Sequence, residues 1–292
     1  MLNRIKSMLH RHLLQVPLVH AWNTKRQFKV ERELIEGCHH AKSPHRSIIH
    51  FSVNKAATQY TKSILSRCAA EKGIVLVRIN DYAFSSEFPF LDHLSAHEMV
   101  QYQHIFKPSG YLYSLFGGMV AGIPNLDDYH IVLMIRDPRD VLTSDYFSIA
   151  YSHIPPKGRN KIETFMERRD FARQVRVDQF VIDEGERVRR VYQRYLDLLV
   201  KRANVYVATY EDMISDFPAW LADLLDYCEL TISSHLKQEL LKENKKSRPP
   251  KEDSSKHIRQ MTPGDHERKL QPETIAQLNS LLSSILREFK YT

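Results

Sequence analysis

Ser47-Ile48-Ile49-His50-Phe51-Ser52-Val53-Asn54-Lys55-Ala56-Ala57-Thr58-Gln59-Tyr60-Thr61-Lys62 is the stretch that decides the fold. Its first seven residues are mostly apolar and β-prone, which predicts a buried strand. From Thr58 onward, Tyr60, Ile64, Leu65 and Cys68 recur at helical spacing, so a strand passes through a short turn into a helix. Lys55 opens the turn and two small residues, Ala56 and Ala57, follow it. The free N–H groups of the first helical turn can then meet an anion with an ammonium beside them, as in a phosphate or sulfate cradle. A Walker A loop needs glycines and places its lysine at the helix start before Ser or Thr. Here the lysine comes first and the turn has no glycine.

Working outward, residues 130–135 (His-Ile-Val-Leu-Met-Ile) form a near-continuous apolar run of strand length, as expected of a parallel strand covered on both faces. It runs into Arg136-Asp137-Pro138-Arg139-Asp140, where Pro138 stops the strand. A helix follows, with Leu142, Tyr146, Ile149 and His153 along one face. Arg136 thus falls at the carboxyl end of a buried strand, where open α/β sheets bind their ligands. Its planar fork suits a phosphate monoester, and the Ser144 hydroxyl, two turns into the helix, can add one hydrogen bond.

Further strands are expected at residues 74–79, 101–106 and 204–209. Between the first two, residues 81–97 read as an aromatic loop shaping a pocket, and the stretch punctuated by Pro108 to Tyr111 and Phe116 to Gly118 reads as a second irregular loop. Residues 161–202 are charged with an apolar stripe, one or two surface helices whose charge is a solvated face. Asp216 and Pro218 open a helix with Leu221, Leu224, Leu225 and Cys228 inward, and Pro272 starts a last helix with Ile275, Leu278, Leu282, Ile285 and Phe289 facing the core. Residues 242–269 are polar enough to suggest disorder.

The 292 residues carry 42 Lys and Arg against 35 Asp and Glu, a net +7 that favours anionic ligands without choosing among them. No apolar run approaches the ~20 residues of a membrane span. Cys38, Cys68 and Cys228 are scattered and odd in number, which fits a reducing compartment without a disulfide framework. The Cys38-His39-His40 cluster lacks a second ligand group at metal spacing. Residues 1–46 read as a basic arm packing on or extending from a domain at 47–292; residues 1–14 could also lie on a membrane surface. The apolar part of the arm is broken by Gln15 and Pro17, unlike a signal peptide, and the expectation is a cytoplasmic protein.

Four motifs resemble those of the PAPS-dependent sulfotransferases, in family order. Lys55-Ala56-Ala57-Thr58-Gln59-Tyr60 is similar to the 5′-phosphosulfate loop, commonly Lys-Ser-Gly-Thr-Thr-Trp. Residues 136–146 match the 3′-phosphate motif Arg-x-Pro-x-Asp-x-x-x-Ser-x-Tyr at every fixed position. Tyr210-Glu211-Asp212-Met213 resembles a tetrapeptide whose tyrosine lies against the adenine; a plain buried tyrosine is the competing reading. Arg259-Gln260-Met261-Thr262-Pro263-Gly264-Asp265-His266 resembles the late Arg-Lys-Gly-x-x-Gly-Asp-Trp loop, with Gln260, Met261 and His266 as departures.

The resemblance implies an α/β fold, a parallel sheet flanked by helices of the P-loop NTPase-like kind. It implies PAPS as sulfuryl donor and PAP as product, with no metal. Arg136, Ser144 and Arg259, with Gln260 and Met261 beside it, would hold the 3′-phosphate. Tyr60 and Tyr210 would flank the adenine, and Lys55 with the N–H groups of residues 57–59 would hold the 5′ end. As the S–O bond breaks, the Lys55 ammonium would stabilise charge growing on the bridging oxygen.

The acceptor would be a hydroxyl or amine of a small molecule, lipid or carbohydrate rather than a nucleic acid. The family's Lys-Thr-His is replaced at the place assigned to it by Lys107-Pro108-Ser109, which carries over Lys107 alone. His104, Asp81 and Glu87 are substitutes for the missing base. The aromatic residues 81–90 and 111–116 are candidates to line the acceptor site. Two other readings stay open: a non-catalytic nucleotide- or glycan-binding module on the same fold, and a magnesium-ATP-dependent kinase.

Overall fold

The computed structural model describes residues 26–153, 159–201, 205–247 and 262–291. Five strands, β1 (Ile48–Ser52), β2 (Val75–Val77), β3 (Tyr111–Phe116), β4 (His130–Ile135) and β5 (Val205–Thr209), form one sheet in the order β2-β3-β1-β4-β5. Every neighbouring pair is parallel. In chain order the helices are α1 (Lys29–Ile35), α2 (Thr58–Ala70), α3 (Ile79–Ser85), α4 (Ala96–Met99), α5 (Pro138–Phe147), α6 (Arg159–Gln174) and α7 (Val177–Tyr195). They continue as α8 (Tyr210–Ser215), α9 (Phe217–Tyr227), α10 (Ser234–Ser247), α11 (Asp265–Lys269), α12 (Pro272–Leu281) and α13 (Ser283–Glu288). The fold is the expected α/β plan of a parallel sheet flanked by helices, of the P-loop NTPase-like kind.

β1 and β4, the two apolar runs read from the sequence, are buried along their whole length because helices cover both faces of the central strands. α1 closes one side of the domain through Phe28 and Leu34, and its buried Glu31 accepts the Arg78 N–H at 2.6 Å. Residues 1–25 of the expected arm lie outside the described residues. Among the described residues no helix is long and apolar enough to cross a membrane.

The expected strand at 101–106 is not one. Ser95 and Glu98 form a reciprocal cap that starts α4, and the chain runs on as a 3-10 turn over Val100–Ile105. The third strand lies ten residues later, at Tyr111–Phe116, where a loop was expected. Its aromatic side chains are core rather than the lining of an acceptor site. Tyr111 and Tyr113 are buried, and the Tyr113 hydroxyl donates to the Ile105 carbonyl at 2.8 Å. Glycines that look like loop punctuation mark the ends of this strand. At Gly110 (φ +88°) a Cβ would fall 2.5 Å from the Ala41 Cβ and 2.8 Å from the Ser43 carbonyl, so no other residue fits there. The expected loop at 81–97 is also partly helical: it takes in most of α3, the start of α4 and a 3-10 turn at Leu91–His93.

Candidate functional site

The turn after β1 has two residues in the left-handed region, Lys55 (φ 70°) and Ala57 (φ 54°), where glycine is usual. Ala57 caps α2 in this conformation, and Tyr60 and Thr61 donate back to its carbonyl at 2.9 and 3.0 Å. That geometry leaves the N–H groups of the first turn, at Thr58 and Gln59, without intrahelical acceptors and concentrates the positive end of the helix dipole there. Burial pushes the Lys55 ammonium below its ordinary pKa; Asp145 opposes that, and the charges of Arg136 and Arg168 add to it. The Tyr60 ring packs against Phe217 with centroids 6.0 Å apart.

Arg136 leaves β4 and is only 6% exposed. The turn that follows is fixed by Asp137, whose side chain accepts the Arg139 N–H and caps α5, with Pro138 in the first turn. Arg136 Nη2 donates to Asp140 Oδ2 at 3.2 Å and Nη1 to the Lys55 carbonyl at 3.2 Å, which ties this arginine to the first loop. Its guanidinium lies 4.3 Å from the centroid of the buried Tyr210 ring, a cation–π contact. Its Nε is buried and has no hydrogen-bond partner. A buried guanidinium with one unmet donor is the feature an incoming anionic oxygen would complete.

Asp140, fully buried, is the hub that the sequence reading did not single out. Besides Arg136 it accepts the Gly264 N–H at 2.9 Å, the His266 N–H at 2.9 Å and His266 Nδ1 at 2.7 Å. Burial alone would raise this carboxyl, but the His266 hydrogen bond and the Arg136 charge outweigh it and hold it well below the usual carboxylate range. His266, standing where the family motif has tryptophan, is thus the link between the late loop and the arginine motif. Arg259, Gln260 and Met261 lie outside the described residues. On the other side, the Asp137 N–H donates to Glu211 and the Tyr192 hydroxyl donates to the Arg136 carbonyl.

Ser144 is half-buried one turn beyond Asp140. Its neighbour Asp145 joins Arg168, Arg187 and Glu184 in a four-charge network with contacts of 2.5 to 2.9 Å. Part of the charge in residues 161–202 is therefore paired with α5 rather than wholly solvated.

The candidate bases are not assembled. β1 and β3 are parallel, so the start of β3 lies beside the start of β1; Ser47 donates to the Pro108 carbonyl. Lys107 and His104 therefore sit at the amino edge of the sheet, the far end of β1 from Lys55, about 17 Å away for five strand residues. His104 is exposed and bonds the Ile35 carbonyl. Asp81 pairs with Lys62 at 2.5 Å, and Glu87 is exposed. Neither Lys107 nor His104 reaches the cradle, and both are withdrawn from it.

The carboxyl edge of β1 and β3 instead holds Asn80, Asp92 and Tyr195. Asp92, 7% exposed, accepts Asn80 Nδ2 at 3.1 Å and the Gly118 N–H at 3.0 Å, both on Oδ2. No sequence pattern announces this group, since its members lie on α3, a 3-10 turn and the end of α7. Among the described residues no set of three His, Cys, Asp or Glu side chains is arranged to hold a metal ion.

A family model described as "Sulfotransferase domain" matches residues 123–290, more than half of the chain. No curated protein matches the sequence. Among solved structures, the chain is similar to mouse sulfotransferase SULT7A1 complexed with PAP, at 14% identity over 88% of each chain with a TM-score of 0.49. It is also similar to retinol dehydratase in complex with androsterone and inactive cofactor PAP, at 15% identity over 87% of this chain and 83% of that one, with a TM-score of 0.46.

Proposed function

The chain belongs to the sulfotransferase domain family, and on that premise we propose that it transfers a sulfuryl group from PAPS to a hydroxyl or amine, with residues 47–292 as the working domain. One observation carries the donor site: a buried arginine with an unmet Nε, hydrogen-bonded to the carbonyl of a lysine in the left-handed turn before a helix. Two anion sites lie back to back, which suits a ligand charged at both ends. PAPS supplies the activated sulfuryl group and a 3′-phosphate.

Arg136 Nε holds the 3′-phosphate, and the family motifs assign Ser144, Arg259, Gln260 and Met261 to the same group. Asp140 keeps Arg136 aimed and holds Gly264 and His266 in place. Tyr210 braces the guanidinium and, with Tyr60, offers aromatic carbon to the adenine. Ala56, Ala57, Thr58 and Gln59 present backbone to the 5′ end. The Lys55 ammonium stabilises negative charge on the leaving oxygen, an interaction strongest in the transition state. Burial and neighbouring arginines make Lys55 a readier proton donor than a solvated lysine.

Calorimetry with PAP, without metal, tests this reading. Wild type binds PAP in the micromolar range and prefers it to ATP, and Arg136→Ala abolishes the binding. Equal preference for magnesium-ATP would point to a kinase, and PAP binding without any turnover of PAPS to a binding module.

A further inference from the structure

The peptide joining Arg136 to Asp137 is held from both sides. Its carbonyl accepts the Tyr192 hydroxyl, and its N–H donates to Glu211 Oε1 at 3.0 Å. Glu211 follows Tyr210, whose ring carries the Arg136 guanidinium, so α8 grips this arginine twice: Tyr210 at the side chain and Glu211 at the backbone. The other Glu211 oxygen, Oε2, accepts the Tyr291 hydroxyl at 3.0 Å. Burial, then the Glu211 charge, pushes that hydroxyl far above the ordinary tyrosine pKa, so it stays protonated and donates.

The chain after α13 is shaped to deliver Tyr291. Lys290 lies in the left-handed region (φ 59°), its N–H donates to the Arg287 carbonyl at 3.2 Å, and the Tyr291 N–H donates to the Leu286 carbonyl at 2.8 Å. This is a Schellman ending, in which glycine is usual and a lysine is strained. Three contacts from this ending converge on the loop after β4 and its supports. The Phe289 ring meets Tyr192 edge-on with centroids 5.8 Å apart, the Tyr291 hydroxyl meets Glu211, and the Tyr291 carbonyl accepts Arg139 Nη2 at 2.7 Å. The same guanidinium spans both oxygens of Asp137, at 2.6 and 3.0 Å, and reaches Asn279 on α12 at 2.7 Å. Both hydrogen bonds that flank the Arg136-Asp137 peptide are thus backed by residues 289–291.

We propose that Glu211 and Tyr291 are positioning residues of the donor site, fixing the peptide after Arg136 and through it the aim of the guanidinium at a 3′-phosphate. Their role rests on the donor reading above. The two hydrogen bonds made by the Arg136 side chain, to Asp140 and to the Lys55 carbonyl, are both 3.2 Å, at the long end for N–H···O. They leave the backbone to set where Nε points. A guanidinium meets phosphate oxygens through donors of fixed direction, so a small tilt of the peptide costs affinity although the charge remains. AMP is PAP without the 3′-phosphate, and its binding should not register that tilt.

Calorimetry on the full chain with PAP and with AMP tests the role. Glu211→Met keeps the length of the side chain and removes both acceptors; it should weaken PAP about tenfold or more and leave AMP within about twofold. Glu211→Gln keeps an oxygen for the Asp137 N–H and should recover most of the PAP affinity. Tyr291→Phe removes one hydroxyl and keeps the ring, with an expected loss of about threefold for PAP and none for AMP. It carries the test if thermal unfolding shows Glu211→Met to be unfolded at the assay temperature. PAP affinity within about twofold of wild type in both Glu211→Met and Tyr291→Phe would overturn the assignment. So would an equal loss of PAP and AMP, the mark of a general loosening of the fold. A wild type that ignores PAP would bring down the donor reading and this role together, whereas a wild type that binds PAP beside indifferent variants would bring down the role alone.

Discussion

Two polar groups at the carboxyl edge of the sheet, one end around Arg136 and the other around Asp92, are built on opposite plans. Around Arg136 nearly every polar atom has a protein partner: Asp140 accepts from four groups, Tyr210 carries the guanidinium, and one donor, Nε, is left over. Around Asp92 two buried oxygens, its own Oδ1 and Asn80 Oδ1, are unmet, and Gly117 and Gly118 lie beside the carboxylate. The first end is held by its own hydrogen bonds and keeps one buried nitrogen, Arg136 Nε, without a partner. The second is defined by what it lacks.

Removing Asp140 should break the first end most severely. Asp140→Ala leaves the Arg136 charge buried without its carboxylate and releases Gly264 and His266, and the expected loss is about 3–5 kcal/mol in urea denaturation. The pH dependence has a definite sign. The Asp140 carboxyl is depressed in the fold, so its contribution is complete above the unfolded value of about 4 and drains away as pH falls below it. Acid unfolding followed by circular dichroism should therefore lose its low-pH limb in Asp140→Asn.

Lys55→Ala comes next and acts on rate. On the proposed reading it removes the charge at the leaving oxygen, and turnover of PAPS should fall by a factor of about 10²–10³ with PAP affinity changed far less. An equal fall in affinity would mean that Lys55 serves ground-state binding only.

The sharpest contrast comes from a smaller effect. Tyr195→Phe deletes a buried hydroxyl that has no partner, so it should leave stability unchanged or raise it by up to about 1 kcal/mol. Hydroxyl removal at the Arg136 end, as in Tyr192→Phe, takes away the bond to the Arg136 carbonyl and should cost about 1 kcal/mol. Thermal unfolding of the two variants side by side would erase the comparison if both lost the same amount. Smallest of all, His104→Ala and Lys107→Ala should change turnover less than twofold.

The first end was legible in the sequence because its residues are contiguous and chemically unusual. An apolar run ending in Arg136 and Pro138 predicts a strand edge, and Lys55-Ala56-Ala57 predicts an anion turn. Asp140 was visible as a motif letter, but its work depends on Gly264 and His266, more than 120 residues away. The second end was illegible. Tyr111–Phe116 is covered on both faces, so its side chains show no alternation, and its bounding glycines resemble loop punctuation. Taking 101–106 for the strand puts the family's Lys-Thr-His at Lys107-Pro108-Ser109 and makes His104 a substitute base, both at the wrong edge of the sheet, and it makes the glycines next to Asp92 look like irregular chain. Ser95 and Glu98 did carry a helix-start signature that would have ruled out the strand at 101–106.

Arg139 has a consequence for the making of this protein. Its Nη2 bonds both Asp137 and the Tyr291 carbonyl, and the Tyr291 hydroxyl bonds Glu211, whose other oxygen receives the Asp137 N–H. The loop that sets Arg136 is thus buttressed from near residue 291. A chain still being translated has the five strands of the sheet some eighty residues before it has that buttress, so the sheet can assemble on the ribosome while the loop around Arg136 waits for the segment after α13. The order of synthesis gives a folding sheet ahead of a ligand-competent site, and PAP would act as a late stabiliser rather than a template for the fold.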